Sequence, residues 1–204
     1  MMQMLSRFFV PKKLIAVLLA LLVVIGSIFL FQKFSSSSGE ASAQDLSRIA
    51  ANLSGGFTAN LSMEYGDFQS AAQFEQRYIG DCTFRFSSPP SLDGFELTLS
   101  DGKVTVCYRG ISSSMSNDQL FESSGAGLFL QALETITSMQ GLSSQTEDGI
   151  LTLSLPGSEE DPAFSAKLNP TDAELLEVSF PQENFKVVVS DFLPAAQTKQ
   201  TLHC

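Results

Sequence analysis

Tryptophan is missing from the 204 residues, and histidine occurs once, at His203. A Ser-His-Asp or Cys-His arrangement needs a base held in place by a third group, and His203 lies in a polar stretch after Pro194 with nothing to hold it. His203-Cys204 supplies two metal ligands where a zinc site takes three or four from the protein. Glu159-Glu160-Asp161 and Glu147-Asp148 lack the spaced oxygen set that a hard cation demands, and read as solvated turns. No phosphate loop or dinucleotide fingerprint is present, since the glycine cluster Gly125-Ala126-Gly127 follows no strand pattern. The expectation is a non-enzymatic chain: catalytic residues none, metal none, cofactors none.

Bases are scarce as well. All 22 acids lie at or beyond Glu40, whereas Arg7, Lys12, Lys13 and Lys33 come before it, so eight of the twelve bases face 22 acids and that part carries a net −14. Such a surface repels phosphate backbones, which excludes nucleic acid as a partner, and it repels anionic headgroups too.

Cysteine is too sparse and too badly placed for a disulfide frame. Asp101-Gly102 between two alternating runs predicts a two-residue hairpin that opposes Leu99 to Val104, Leu97 to Val106 and Phe95 to Tyr108. Cys107 then falls opposite Glu96 on the wet face, while Cys82 alternates in phase with Phe84 and Phe86 on the apolar face. Side chains on opposite faces of a sheet cannot reach bridging geometry. Cys204 reads as a tail thiol.

One long apolar run is present. Leu14–Phe31 holds nothing more polar than Ser27 and follows Arg7, Lys12 and Lys13. As a helix it would be roughly 27 Å long, close to the hydrocarbon thickness of a bilayer. Basic residues on its N-terminal flank keep that end in the cytoplasm. The expectation is a single-pass protein of the cell membrane, with a cytoplasmic basic tail (1–13), a signal-anchor helix (14–31), a flexible linker (32–44), an extracytoplasmic domain (45–194) and a loose tail (195–204). The alternative is a cleaved signal peptide, because Ala41-Ser42-Ala43 has the small-x-small pattern of a processing site. The run is long for that role and lies twelve residues from the site.

Within 45–194 the dominant pattern is strict apolar/polar alternation: Phe57–Tyr65, Phe95–Ser100, Lys103–Tyr108, Leu151–Leu155, Phe164–Leu168, Leu176–Phe180 and Phe185–Val189. Side chains on a strand alternate between faces, so each stretch has one apolar and one wetted side. Leu176 and Val178 are assigned to the apolar side. Gly66-Asp67 predicts a hairpin opposing Leu61 to Ala72 and Ala59 to Phe74. A three-residue loop Ile79-Gly80-Asp81 predicts Tyr78 opposite Cys82 and Phe74 opposite Phe86. Pro89-Pro90 breaks the sheet, Ile111–Asn117 reads as a polar loop, and Asp148-Gly149 turns a further hairpin.

Two segments change period. Asp45–Leu53 is a short amphipathic helix ended by Gly55-Gly56. Asp118–Gln140 is helical, its main part at Leu128–Met139, with Ser116 or Asn117 as cap, Gly141 at the C-terminal end, and the Gly125–Gly127 cluster as an interruption. The fold class is mainly β (α+β): nine or ten antiparallel strands in a curved sheet, a half-barrel with the longer helix on its concave face.

That helix is the crux. Its footprint is roughly 10–12 Å wide, against ten strands about 4.8 Å apart. Either the apolar residues pack into a closed core or the shortfall leaves a cavity. The candidate lining is Leu61, Met63, Phe74, Phe84, Phe86, Phe95, Leu97, Tyr108, Phe129, Leu133 and Ile136.

The run Pro89-Pro90-Ser91-Leu92-Asp93-Gly94-Phe95, then Thr105-Val106-Cys107-Tyr108-Arg109-Gly110-Ile111, in a meander with a helix inserted midway, resembles the lipoprotein-carrier superfamily (LolA/LolB/LppX-like). More narrowly it resembles the clostridial germination-lipoprotein (GerS)-like branch, over about residues 45–194. The resemblance implies a half-barrel of about eleven strands with helices plugging the concave face. It implies a lipid or acyl chain, or another protein, as partner, and no enzyme activity. The lipidated cysteine of the clostridial proteins is absent, and a transmembrane segment would stand in for it. The expected function is a membrane-anchored binding protein holding a hydrophobic ligand. The alternative is a scaffold or regulator of a cell-envelope protein, such as a cell-wall enzyme in sporulation or germination, with a fully packed core.

Overall fold

The computed structural model describes residues 42–116, 124–157 and 163–195. The chain enters through helix α1 (Ala43–Ser54), capped by Ser42, whose Oγ accepts a hydrogen bond from the Asp45 amide at 3.1 Å. Strands β1 (Phe57–Tyr65), β2 (Phe68–Tyr78), β3 (Asp81–Ser88), β4 (Phe95–Ser100), β5 (Lys103–Tyr108) and β6 (Ile111–Ser116) follow as consecutive hairpins. Helix α2 (Gly125–Ser138) comes next, then β7 (Ser143–Glu147), β8 (Ile150–Leu155), β9 (Phe164–Asn169), β10 (Glu174–Phe180), a 3₁₀ turn (Pro181–Glu183) and β11 (Phe185–Pro194).

All eleven strands form one antiparallel sheet in the order β6-β5-β4-β3-β2-β1-β11-β10-β9-β8-β7. The first strand therefore sits mid-sheet. The chain meanders out to the β6 edge, resumes after α2 at the β7 edge, and meanders back until β11 closes on β1. A sheet this wide curls, and the observed sheet is open and curved, with both helices against its apolar face.

Alternation sets that face. In β1 buried and exposed residues alternate from Phe57 to Glu64, and the predicted registers Leu61↔Ala72, Ala59↔Phe74, Leu99↔Val104, Leu97↔Val106 and Phe95↔Tyr108 are observed. Helix α1 buries Ile49 and Leu53. Two residues past its end stands Gly56 (φ +88°), where a Cβ would lie 2.5 Å from the Arg77 carbonyl oxygen. That close approach lets the buried Gln76 donate from Nε2 to the Leu53 carbonyl at 2.6 Å.

Six expectations are corrected. The described residues alone hold eleven strands, not nine or ten, because Ile111–Ser116 is a strand and not a loop. Its turn is Arg109-Gly110, with φ of 50° and 81°, the same doubly positive form as Asp101-Gly102 and Asp148-Gly149; asparagine and aspartate favour that turn, and arginine masks it. Between β2 and β3 the loop is Ile79-Gly80, with Tyr78↔Asp81 and then an irregularity between Gln76 and Tyr78 that brings Phe74 opposite Phe84 and Ala72 opposite Phe86. The shift from the expected register is two residues, so every aromatic keeps its face. In β10 an irregularity between Leu175 and Glu177 turns Leu175 inward and leaves Leu176 half-buried. Helix α2 starts at Gly125, capped by Ser124, whose Oγ accepts from the Gly127 amide at 3.1 Å; the glycines open the helix and do not interrupt it. Its C-cap is Met139 in the left-handed region (φ 55°), not Gly141. Leu14–Phe31, Asn117–Phe121, Glu159–Asp161, His203 and Cys204 lie outside the described residues. No helix among the described residues is long and apolar enough to cross a membrane.

Candidate functional site

Aromatic side chains knit the concave face across six strands. Ring centroids run Phe192–Phe57 at 4.7 Å, Phe57–Phe74 at 5.2 Å, Phe74–Phe84 at 4.8 Å, Phe84–Phe86 at 6.4 Å, Phe86–Phe95 at 5.6 Å and Phe95–Tyr108 at 6.3 Å. Phe129 of α2 drops onto this ladder, edge-on to Phe74 at 5.3 Å and to Phe84 at 6.4 Å. Such spacings suit edge-to-face and offset packing. Leu133 and Ile136, one and two turns further along α2, are fully buried with it.

The packing leaves a gap at the start of α2. A hollow of about 220 Å³ is bounded by Met63 and Tyr65 of β1, Phe68 and Ser70 of β2, Phe86 of β3, Leu97 of β4, Phe185 of β11, Leu92 in the β3–β4 loop, and Ser124, Gly125 and Ala126. It exists because the first three residues of α2, Gly125-Ala126-Gly127, carry no side chain larger than methyl, so the helix cannot fill there the space that Phe129 and Leu133 fill further along.

Of the sequence candidates, Met63, Phe86 and Leu97 line this hollow. Phe74, Phe84, Phe129, Leu133 and Ile136 are packed in the core, and Phe95 and Tyr108 are half-buried beside it, where Tyr108 Oη donates to the Ser91 carbonyl at 3.3 Å. Leu61 is also core, and it borders a trough of about 450 Å³ with Asn60, Gln73, Arg85 and Ser87. In that trough Arg85 is already engaged by Glu75 at 3.1 Å and Glu96 at 3.2 Å. Those hydrogen bonds and charges raise its pKa, against a lowering by partial burial.

Sequence reasoning missed Phe68, Ser70 and the helix start. Phe68 and Ser70 do share the phase of Ala72 and Phe74, which placed them on the apolar face. Tyr65, Leu92 and Phe185 could be recognised as neighbours only once the strand order was known.

Cys82 is buried and unbridged, and its thiol is pushed up to about 12 by burial and by the nearby Asp81 charge, against a small lowering by a hydrogen bond from the Leu99 backbone. Cys107 is half-buried and also unbridged, opposite Glu96 as expected. Among the described residues no three His, Cys, Asp or Glu side chains gather as metal ligands.

No family model matches the chain, and no curated protein matches it. Several solved structures are similar to it. An uncharacterized conserved protein from Thermus thermophilus is 14% identical with a TM-score of 0.49, over 80% of this chain and 94% of that one. A LolA superfamily protein from Nitrosomonas europaea is 11% identical with a TM-score of 0.41, over 76% and 94%. The lipoprotein LppX from Mycobacterium tuberculosis is 11% identical with a TM-score of 0.38, over 72% and 91%. The superfamily read from Pro89–Phe95 is met again among these structures. The germination-lipoprotein branch is not among these three.

Proposed function

We propose that this domain is a non-enzymatic binding protein whose ligand is an apolar chain lodged in the hollow at the start of α2. The observation that carries the reading is a space of about 220 Å³ walled almost wholly by apolar side chains, Met63, Phe68, Phe86, Leu92, Leu97 and Phe185, whereas a second space of about 260 Å³ between α2 and β8–β10 is lined by Gln131, Thr135, Ser138 and Gln140 as well as Leu155, Phe164 and Phe180. Two helices cover more of the sheet than one would, so the cavity is local and not a long groove. Sites for drug-sized ligands span about 300–1,000 Å³, and a dry cavity of about 150 Å³ takes benzene. This hollow therefore suits one slim chain or ring and excludes the bulk of a two-chain lipid. The superfamily resemblance in sequence points the same way.

The anchor belongs to the proposal as well. Leu14–Phe31 with its basic flank supports a single-pass protein of the cell membrane with residues 45–194 outside the cytoplasm. A second reading, in which the domain scaffolds a cell-envelope protein, draws on the packing of Phe74, Phe84, Phe129, Leu133 and Ile136, which leaves little empty concavity.

Ala126→Phe separates the two, because it puts a ring into the hollow from the first turn of α2. Native mass spectrometry of the purified protein should find an apolar small molecule on the wild type and none on A126F. If the wild type carries nothing and A126F is simply more stable, as cavity filling commonly makes a protein, the hollow is a packing gap and the binding role fails.

A further inference from the structure

The hollow is apolar apart from a few groups, and those groups are of one kind. Besides the phenol of Tyr65, Ser70 is the one polar side chain of the strands that reaches it, and only 9% of that residue is exposed. Its hydroxyl has no hydrogen-bond partner among the described residues. No fully enclosed side-chain oxygen or nitrogen among those residues goes unpaired, so Ser70 Oγ is open to the hollow that it lines. A hydroxyl held in so apolar a setting gains from any acceptor placed against it.

The helix adds backbone donors. In the first turn of α2 the Gly127 amide bonds Ser124 Oγ and the Leu128 amide bonds the Ser124 carbonyl, both within the helix cap. The Gly125 and Ala126 amides belong to residues on the wall of the hollow and make no such bond among the described residues.

A helix N-terminus carries partial positive charge, which an acid in the first turn ordinarily offsets. Helix α1 follows that habit with Asp45, but α2 has no acidic residue in its first turn. Two backbone donors, a positive dipole end and no carboxylate among the described residues of the wall disfavour an ammonium head and favour an oxyanion. A carboxylate offers two oxygens with four acceptor positions, enough for the hydroxyl and both amides. The volume of about 220 Å³ limits the tail behind the head to one unbranched chain, which can continue over the exposed ring of Phe68 at the rim.

We propose that the ligand is a single-chain carboxylate, a free fatty acid, whose head accepts from Ser70 Oγ and the Gly125 and Ala126 amides and whose chain lies on Met63, Phe86 and Leu97. This rests on the hollow being a ligand site. It goes further in assigning a chemistry to the head.

The test titrates the full-length protein and its Ser70→Ala variant with decanoate carrying ¹³C at the carboxyl, and separately with decanol, followed by NMR. Wild type should bind decanoate at least about tenfold more tightly than S70A does, the scale expected for a lost hydrogen bond to a charged group. Decanol should bind both forms alike, which also shows that S70A is folded with the hollow intact. The bound carboxyl should titrate at lower pH than free decanoate, because donors stabilise the anion. If decanoate and decanol bind equally well and S70A changes neither, the carboxylate proposal is overturned while the apolar site stands. If neither amphiphile binds, the site and its head chemistry fall together.

Discussion

Among single residues, Glu177 joins three strands on the wetted face. Its carboxylate meets Lys167 Nζ of β9 and Lys186 Nζ of β11, each at 3.0 Å. Partial burial alone would push its pKa up, but the hydrogen bonds and charges of the two lysines outweigh that and hold it below the usual glutamate value. A carboxyl with a depressed folded pKa adds stability above its unfolded value, about 4.3 for glutamate, and that contribution fades as pH falls through the folded value. Both lysines are about half-exposed, so the effect at neutral pH is small. Urea midpoints of wild type and Glu177→Gln, measured from pH 7 down to pH 3, should converge at the acid end. A gap that is constant across that range would show that the carboxylate charge does not matter.

At the level of elements, the longer helix is held by what it buries, not by its own propensity. Its first turn holds two glycines, and Phe129 supplies its largest fully buried anchor, with no exposed surface and edge-on contacts to rings of β2 and β3. Phe129→Ala should destabilise the domain by about 3–5 kcal/mol, the usual range for a buried phenylalanine, seen as a lower denaturant midpoint with an unchanged slope. A loss under about 1 kcal/mol would mean that the helix is not fastened through this ring. The same helix shows what the sequence could and could not convey. Its apolar spacing was legible from Leu128 to Met139, because packing on one face imposes a 3.6-residue period. Its start was not, since two glycines in three residues read as a break until Ser124 is seen capping them. Strands whose two faces differ in polarity were legible with their registers. Strand β6 was not, because Ile-Ser-Ser-Ser-Met-Ser at a sheet edge leaves Ile111 78% exposed and has too little apolar contrast to mark a face. The irregularities at Arg77 and Leu176 were likewise hidden, because pairing partners and not local pattern decide where a strand takes an extra residue.

On the scale of all the described residues, one sheet and two helices share an apolar interior, and the candidate site is a part of it that small residues leave unfilled. The eleven sequence candidates lie on that face or on α2, yet only Met63, Phe86 and Leu97 line the hollow. Pattern reports which way a side chain points but not whether a neighbour's bulk arrives to meet it. Met63 is the most informative reporter, since the other described methionines stand elsewhere: Met115 on the exposed β6 edge and Met139 at the far end of α2. With the methionine methyls labelled with ¹³C, nuclear Overhauser contacts to bound decanoate should appear at the Met63 methyl and be absent at Met115 and Met139. Contacts at Met115 without any at Met63 would place the chain on the open sheet edge and contradict a binding site inside the concave face.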